Sequence, residues 1–403
     1  MAPEAAAPAP ERRRGTITSV VGLTQILAWG SSYYLLAVLA APISVDTGWP
    51  LPWVVGGQTV GLLVAGAVSP QVGRLIDRHG GRPVLAGAVV LLVLGLLTLA
   101  AAPNRAAYGA AWVLLGLGMG AGLYDAAFAT LGRYFGGAAR PAITAVTLFG
   151  GFASTVSWPV TAWLSAHLGW RGACAGLAAI DLLVALPLLA LLPPAPDQRS
   201  ERRKAAQPAG LDGRDRRAFL VLAAVQIAAG ATTAIVSVHL LTLLQARGVP
   251  LGQAVVLGAL IGPSQVAARV IEMAGGSRHH PLWTLTAALI LIVTGIALLA
   301  SGLLGAAVAL VLYGAGNGIY SIARGAVPLA LFGPERYARL IGRLAAPGLL
   351  AQALSPPAAA FVLAKAGAPA AFAFLAGLAL AAALLVAVLW IVARPGHVMV
   401  SKG

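Results

Sequence analysis

One cysteine, Cys174, is all that the 403 residues contain. A lone thiol excludes disulfides and multi-thiolate metal sites, and Cys174 reads as a small apolar filler. Charge is scarce too. Asp, Glu, Lys and Arg make up 10% of the chain, against about 25% in soluble domains. No Gly-x-x-x-x-Gly-Lys-Ser/Thr loop is present to cradle phosphates, so ATP is not the expected driving force. The sequence also lacks a His-x-x-Glu-His pattern, a nucleophile elbow and paired carboxylates at helical spacing within an apolar run. Its six histidines are scattered apart from His279-His280. The chain is therefore not expected to be an enzyme, to hold a metal or to need a cofactor.

What is abundant is apolar sequence, 59% of all residues. Cutting at charge clusters and prolines leaves twelve apolar runs, at about 16–41, 51–72, 83–102, 106–132, 141–167, 171–192, 218–245, 251–273, 282–302, 305–331, 338–364 and 369–393. Each is long enough for a helix to cross roughly 30 Å of hydrocarbon, and none has the shorter alternating pattern of a β-barrel strand. The expected fold is an all-α membrane protein of twelve transmembrane helices. A disordered cytoplasmic tail is expected over 1–15 and a six-helix half over 16–192. A Pro-rich, charged linker follows over 193–217, then a second six-helix half over 218–393 and a short tail over 394–403.

The net charge of +15 invites a nucleic-acid partner, but its distribution points to a bilayer. With the N-terminus inside, 22 of the 27 Lys and Arg residues fall on one side of the membrane. Only Arg105, Arg171, Arg247 and Lys365 fall on the other, and Arg324 lies within a run. This bias sets topology rather than recruiting an acidic partner. It predicts cytoplasmic termini in a multi-pass protein of the cytoplasmic (inner) membrane. The arginines at 12 to 14 superficially mimic a secretory signal, but the run behind them is too long and lacks a credible cleavage site.

The two halves repeat one another. Gly118-Met-Gly120-Ala-Gly122-Leu-Tyr124 returns as Gly314-Ala-Gly316-Asn-Gly318-Ile-Tyr320. Ser69 to Asp77 answers to Pro263 to Glu272 with one extra residue, Gln25-Ile26 to Gln226-Ile227, and Phe135-Gly136 to Phe332-Gly333. Doubled membrane folds place the substrate site between the halves, near the bilayer midplane.

Between runs 2 and 3 the chain reads Gly73-Arg74-Leu-Ile-Asp77-Arg78-His-Gly80-Gly81-Arg82. This stretch resembles the signature loop of the major facilitator superfamily, Gly-x-x-x-Asp-Arg-x-Gly-Arg-Arg, with Gly81 where a basic residue is usual. The resemblance implies a gating latch of Gly73, Arg74, Asp77, Arg78 and Arg82, with Arg269 and Glu272 in the equivalent loop of the second half. It also implies function as a single chain. Asp46-Thr-Gly-Trp49 and Gly169-Trp-Arg-Gly172 are similar to the monocarboxylate/oxalate–formate porter branch. That branch's arginine in the middle of span 8 has no counterpart in Leu257 to Ser264, and no lysine stands mid-span 11. Trp112 stands where proton-coupled drug antiporters carry an arginine before the span 4 glycines.

An ionisable group deep in a span costs at least about 2.5–3.5 kcal/mol, so each is a functional candidate. Asp125 in span 4 and Arg324 in span 10 lead, and the repeat makes a cross-cavity pair geometrically plausible. Two roles stay open: Arg324 binds an anionic substrate while Asp125 exchanges a proton, or the two form a fixed ion pair. Asn317, Tyr320, Ser321 and Arg324 stand at i, i+3, i+4 and i+7, one face of a helix. Gln25, Trp29, Tyr33, Tyr124 and Phe128 are further candidates for the cavity. Ser154, Thr155, Ser157, Trp158, Pro159 and Gln352 rank second, because small polar residues in membranes mostly serve helix packing. Asp181 and His239 read as structural.

Together these residues predict a secondary active transporter for a small organic solute, expected to be an anion such as a carboxylate, driven by protons and alternating access. The alternative is an efflux pump of the same fold for a drug-like, neutral or metalloid solute.

Overall fold

The computed structural model describes residues 11–194, 211–275, 279–302 and 305–393. Residues 1–10, most of the linker and the tail from 394 lie outside that description. All the regular structure described is helical: α1 Glu11–Ser31, α2 Leu35–Thr47, α3 Leu51–His79, α4 Gly81–Ala100, α5 Arg105–Gly122, α6 Tyr124–Phe135, α7 Arg140–Gly151 and α8 Ala153–Ile180. A π-helical turn over Asp181–Ala185 leads into α9, Leu186–Ala190. The second half holds α10 Gly213–Gln245, α11 Leu251–Ala259, α12 Ile261–Gly275, α13 Pro281–Ser301, α14 Ala306–Phe332 and α15 Pro334–Ala393.

Local chemistry places the ends. Asn104 accepts from Ala107 N at 3.0 Å to cap α5, and Asp212 accepts from Asp215 N at 2.7 Å to cap α10. Asp212 and Asp215 fall inside the expected linker, so α10 starts a few residues before its apolar run. Gly48 and Gly302 close α2 and α13 in the left-handed conformation that only glycine adopts cheaply.

Nine helical stretches among the described residues are long and apolar enough to cross a membrane. Seven span 20 to 35 residues, but Arg105–Ala190 has 86 and Pro334–Ala393 has 60. At about 1.5 Å per residue, 60 residues would reach roughly 90 Å, three times the hydrocarbon thickness. Both long stretches turn at non-helical glycines, Gly169 (φ 68°) and Gly367 (φ 77°).

Side chains collect into two cores. One runs from Ile17 to Leu192 and also takes in Leu329, Tyr337, Ala338 and Ile341. The other runs from Ala218 to Leu389. Glycines of the repeated motif let helices close to backbone contact: a Cβ on Gly120 would meet Ala65, and one on Gly316 would meet Ala288. This is how membrane helices pack without a hydrophobic drive between them.

The two copies of the repeat then diverge. The second stays helical through α14, while the first breaks at Leu123, whose backbone is extended (φ −81°, ψ −169°). The break frees the Gly122 carbonyl, and the Gln25 side-chain amide takes it at 2.7 Å.

Candidate functional site

Ion pairs join the halves at points that run from the middle of the bundle to one end. At that end, rich in exposed arginine, Asp77 accepts from Arg339 Nε at 2.5 Å, and Gly73 lies against the Ala338 carbonyl. Arg140 pairs with Glu272 at 3.1 Å, and the Thr284 hydroxyl donates to the same carboxylate at 2.8 Å. The stretch read as a loop from Gly73 is helical through His79, so Asp77 sits in the last turn of α3 with its carboxylate turned toward α15. Arg74 and Arg78 are exposed and Arg82 is half-buried.

The third pair lies deeper. Asp125 occupies the first turn of α6, where the helix dipole favours a carboxylate. Arg324 on α14 reaches it with one terminal nitrogen, 2.7 Å from Oδ1 and 2.6 Å from Oδ2. Both side chains are about 15% exposed. Around the pair, Tyr124 stacks on Phe128 at 5.2 Å with the rings 9° from parallel. Phe128 is fully enclosed against Gly325, so it props the two halves rather than facing open space. Trp29 touches the rings of Tyr33, Tyr34 and Tyr124 at 5.1, 5.9 and 5.0 Å. Tyr320 is buried. Asn317, one turn before Tyr320 on α14, accepts from Thr233 of α10 at 3.1 Å.

Arg269 differs most from the sequence expectation. It was expected beside Glu272 in a loop, but α12 continues to Gly275 and buries Arg269 to 5% exposure. Its Nε donates to Gly318 O at 3.2 Å and to the Ser321 hydroxyl at 3.1 Å, within one turn of Arg324 on α14. One terminal nitrogen reaches Gln265 at 3.4 Å; the other, Nη1, is buried without a hydrogen-bond partner. That nitrogen rests against Gly151, and the adjacent Gly150 rests against the Tyr124 hydroxyl. The signal was present in the sequence: Gln265 and Arg269 stand at i and i+4 inside the 251–273 run. Span 8 therefore does carry an arginine, five residues past Ser264.

Two guanidinium groups and one carboxylate thus gather where the halves meet, leaving one positive charge in excess. Such a site attracts an anion and offers it one unused donor. Discontinuous helices at membrane depth, here α5/α6 and α7/α8, accompany binding sites because irregular backbone survives there only when lining a protein cavity.

A family model described as Major Facilitator Superfamily matches residues 21–323. No curated protein matches the chain significantly. Among solved structures, the human organic anion transporter MFSD10 (TETRAN) is 19% identical with a TM-score of 0.74, over 94% of this chain and 100% of that one. The transporter FucP in its outward conformation is 16% identical with a TM-score of 0.72, over 94% and 97%. A variant of the E. coli fucose:proton symporter FucP gives 15%, a TM-score of 0.70 and the same coverage. At these identities the likeness is one of fold.

Proposed function

The chain belongs to the major facilitator superfamily, and from that premise we propose that it is a proton-coupled secondary transporter of a small organic anion. The excess positive charge at the junction of the halves carries this assignment. Arg324 is occupied by Asp125, whereas Arg269 keeps a buried nitrogen unpartnered. A carboxylate arriving there satisfies that donor and competes with Asp125 for Arg324. An Asp125 left without its cation takes up a proton, because an unpaired carboxylate in a poorly hydrated site is costly. Release of substrate restores the pair and expels the proton.

We read the 86-residue and 60-residue stretches as three and two crossings, which makes twelve in all. The arginine-rich end faces the cytoplasm. There the contacts of Asp77 with Arg339 and of Arg140 with Glu272 close the path, so the arrangement is the outward-facing state of a rocking cycle.

Reconstituted vesicles with an alkaline interior test the assignment by uptake of labelled carboxylates. Wild type accumulates its substrate against the concentration gradient. Asp125→Asn retains exchange across the membrane but loses accumulation driven by pH. Full pH-driven accumulation in Asp125→Asn removes the proposed proton step.

A further inference from the structure

The charge cluster accounts for the head of an anion but for none of its body, and a row of rings joins it to an apolar groove. Between α2 and the first turns of α8 lies a cleft of about 410 Å³, walled by Ala37, Val38, Thr155, Trp158, Pro159 and Ala162. Trp158 keeps 46% of its surface exposed. A row of rings leads from this cleft to the floor of the site. Trp158 meets Tyr34 edge-on at 6.1 Å, Tyr34 meets Trp29 at 5.9 Å, and Trp29 meets Tyr124 at 5.0 Å. Tyr124 ends the row beside the charge cluster: its hydroxyl rests on Gly150, next to Gly151, against which Arg269 Nη1 lies.

The donor inventory narrows the ligand further. Trp29 Nε1 and Arg269 Nη1 are both buried donors without partners. The cleft itself adds little besides the Thr155 and Ser154 hydroxyls. A polyhydroxylated solute would leave most of its groups unmatched there, and buried unmatched groups are penalised. A short acid would reach the arginine but bury almost nothing in the cleft. A planar apolar body would fill it, and ring contacts favour edge-on and offset partners such as Trp158 and Tyr34.

We infer that the cleft seats the body of the substrate, and that the substrate is an aryl or arylalkyl monocarboxylate with its carboxylate at Arg269 and its ring against Trp158. The inference rests on the anion assignment above and adds Trp158 as a residue that sets specificity.

Three probes that differ in one feature each test it: 3-phenylpropionate, propionate and 3-phenylpropylammonium, titrated into the purified full-length protein in lipid nanodiscs by calorimetry. Burying one ring strengthens binding by at least about tenfold, so 3-phenylpropionate is expected to bind tenfold or more tightly than propionate. Trp158→Ala should erase that preference, while Trp163→Ala, whose ring is 60% exposed on another face of α8, should retain it. Equal binding of the two acids overturns the aryl inference and leaves the anion assignment standing. Tighter binding of the ammonium compound overturns both. Failure of all three to bind at millimolar concentration overturns the aryl inference, as does a preference that survives Trp158→Ala.

Discussion

A single nitrogen of Arg324 on α14 lies 2.7 and 2.6 Å from the two carboxylate oxygens of Asp125 on α6, joining the halves in the middle of the bundle. The α5/α6 break at Leu123 sets this geometry by putting Asp125 in the first turn of a new helix. Arg324, by contrast, lies on an unbroken helix.

Removing one member of this pair leaves the other charged and enclosed. For buried pairs that costs about 3–5 kcal/mol, whereas replacing both members is often neutral. Asp125→Asn and Arg324→Gln are each expected to lower the apparent melting temperature of the purified protein, and the double variant to recover most of the loss. Additive losses in the double variant would show that the two side chains are energetically independent.

Arg269 should behave in the opposite way. Its charge is uncompensated and one of its nitrogens is unpartnered, so an apolar residue of similar length removes a cost as well as three hydrogen bonds. Arg269→Met is expected to leave thermal stability unchanged or raised while weakening carboxylate binding by at least about tenfold, the order lost with a charge-assisted bond. A variant that melts much lower yet binds the anion normally would mark Arg269 as purely structural.

Closure at the arginine-rich end depends on backbone approach as well as charge. Gly342 of α15 meets the Ser69 carbonyl and Gly73 of α3 so closely that a side chain has no room. Spin labels at His79 and Arg343, both exposed, should report a short, narrow distance in wild type. Gly342→Val and Asp77→Asn should each shift the distribution to longer distances. An unchanged distribution in both would show that other contacts hold this end shut.

His280 should give the stability of the fold a dependence on pH. Its Nδ1 accepts from Leu282 N at 3.3 Å, capping α13. Burial, and then the nearby Arg140 charge, hold its pKa below the ordinary histidine value. The folded protein therefore binds this proton more weakly than the unfolded chain. Stability from this group is present above the ordinary range near about 6.5 and falls as the pH drops through it. Melting temperatures from pH 8 to 5 should decline less steeply in His280→Gln. Parallel curves for the two proteins would exclude the contribution.

The apolar runs, the repeat and the positions of Asp125 and Arg324 can all be read in the sequence, because membrane length and the cost of buried charge leave direct marks on composition. Asp46 and Trp170, read as marks of one porter branch, meet in a local contact, Trp170 Nε1 donating to Asp46 at 2.8 Å, while the family match reaches the superfamily and no branch within it. The break at Leu123 left no such mark, since the same heptapeptide stays helical in the second half; the Gln25 amide that takes the freed carbonyl lies 97 residues away. Phe128 reads equally well as a cavity wall or a prop until Gly325 is seen against it.

The sequence alone thus determined a doubled, helical membrane protein with two ionisable groups deep in facing halves. Only the tertiary structure decided that Arg324 is already engaged and that Arg269 holds the unused donor. The physical reason is reach. An arginine's guanidinium stands several ångströms from its Cα at the end of a flexible stem. Its position along a helix therefore does not reveal at what depth the charge rests or which neighbour satisfies it. For Arg269 that was settled by Gly151, Gly318 and Ser321, from two other helices.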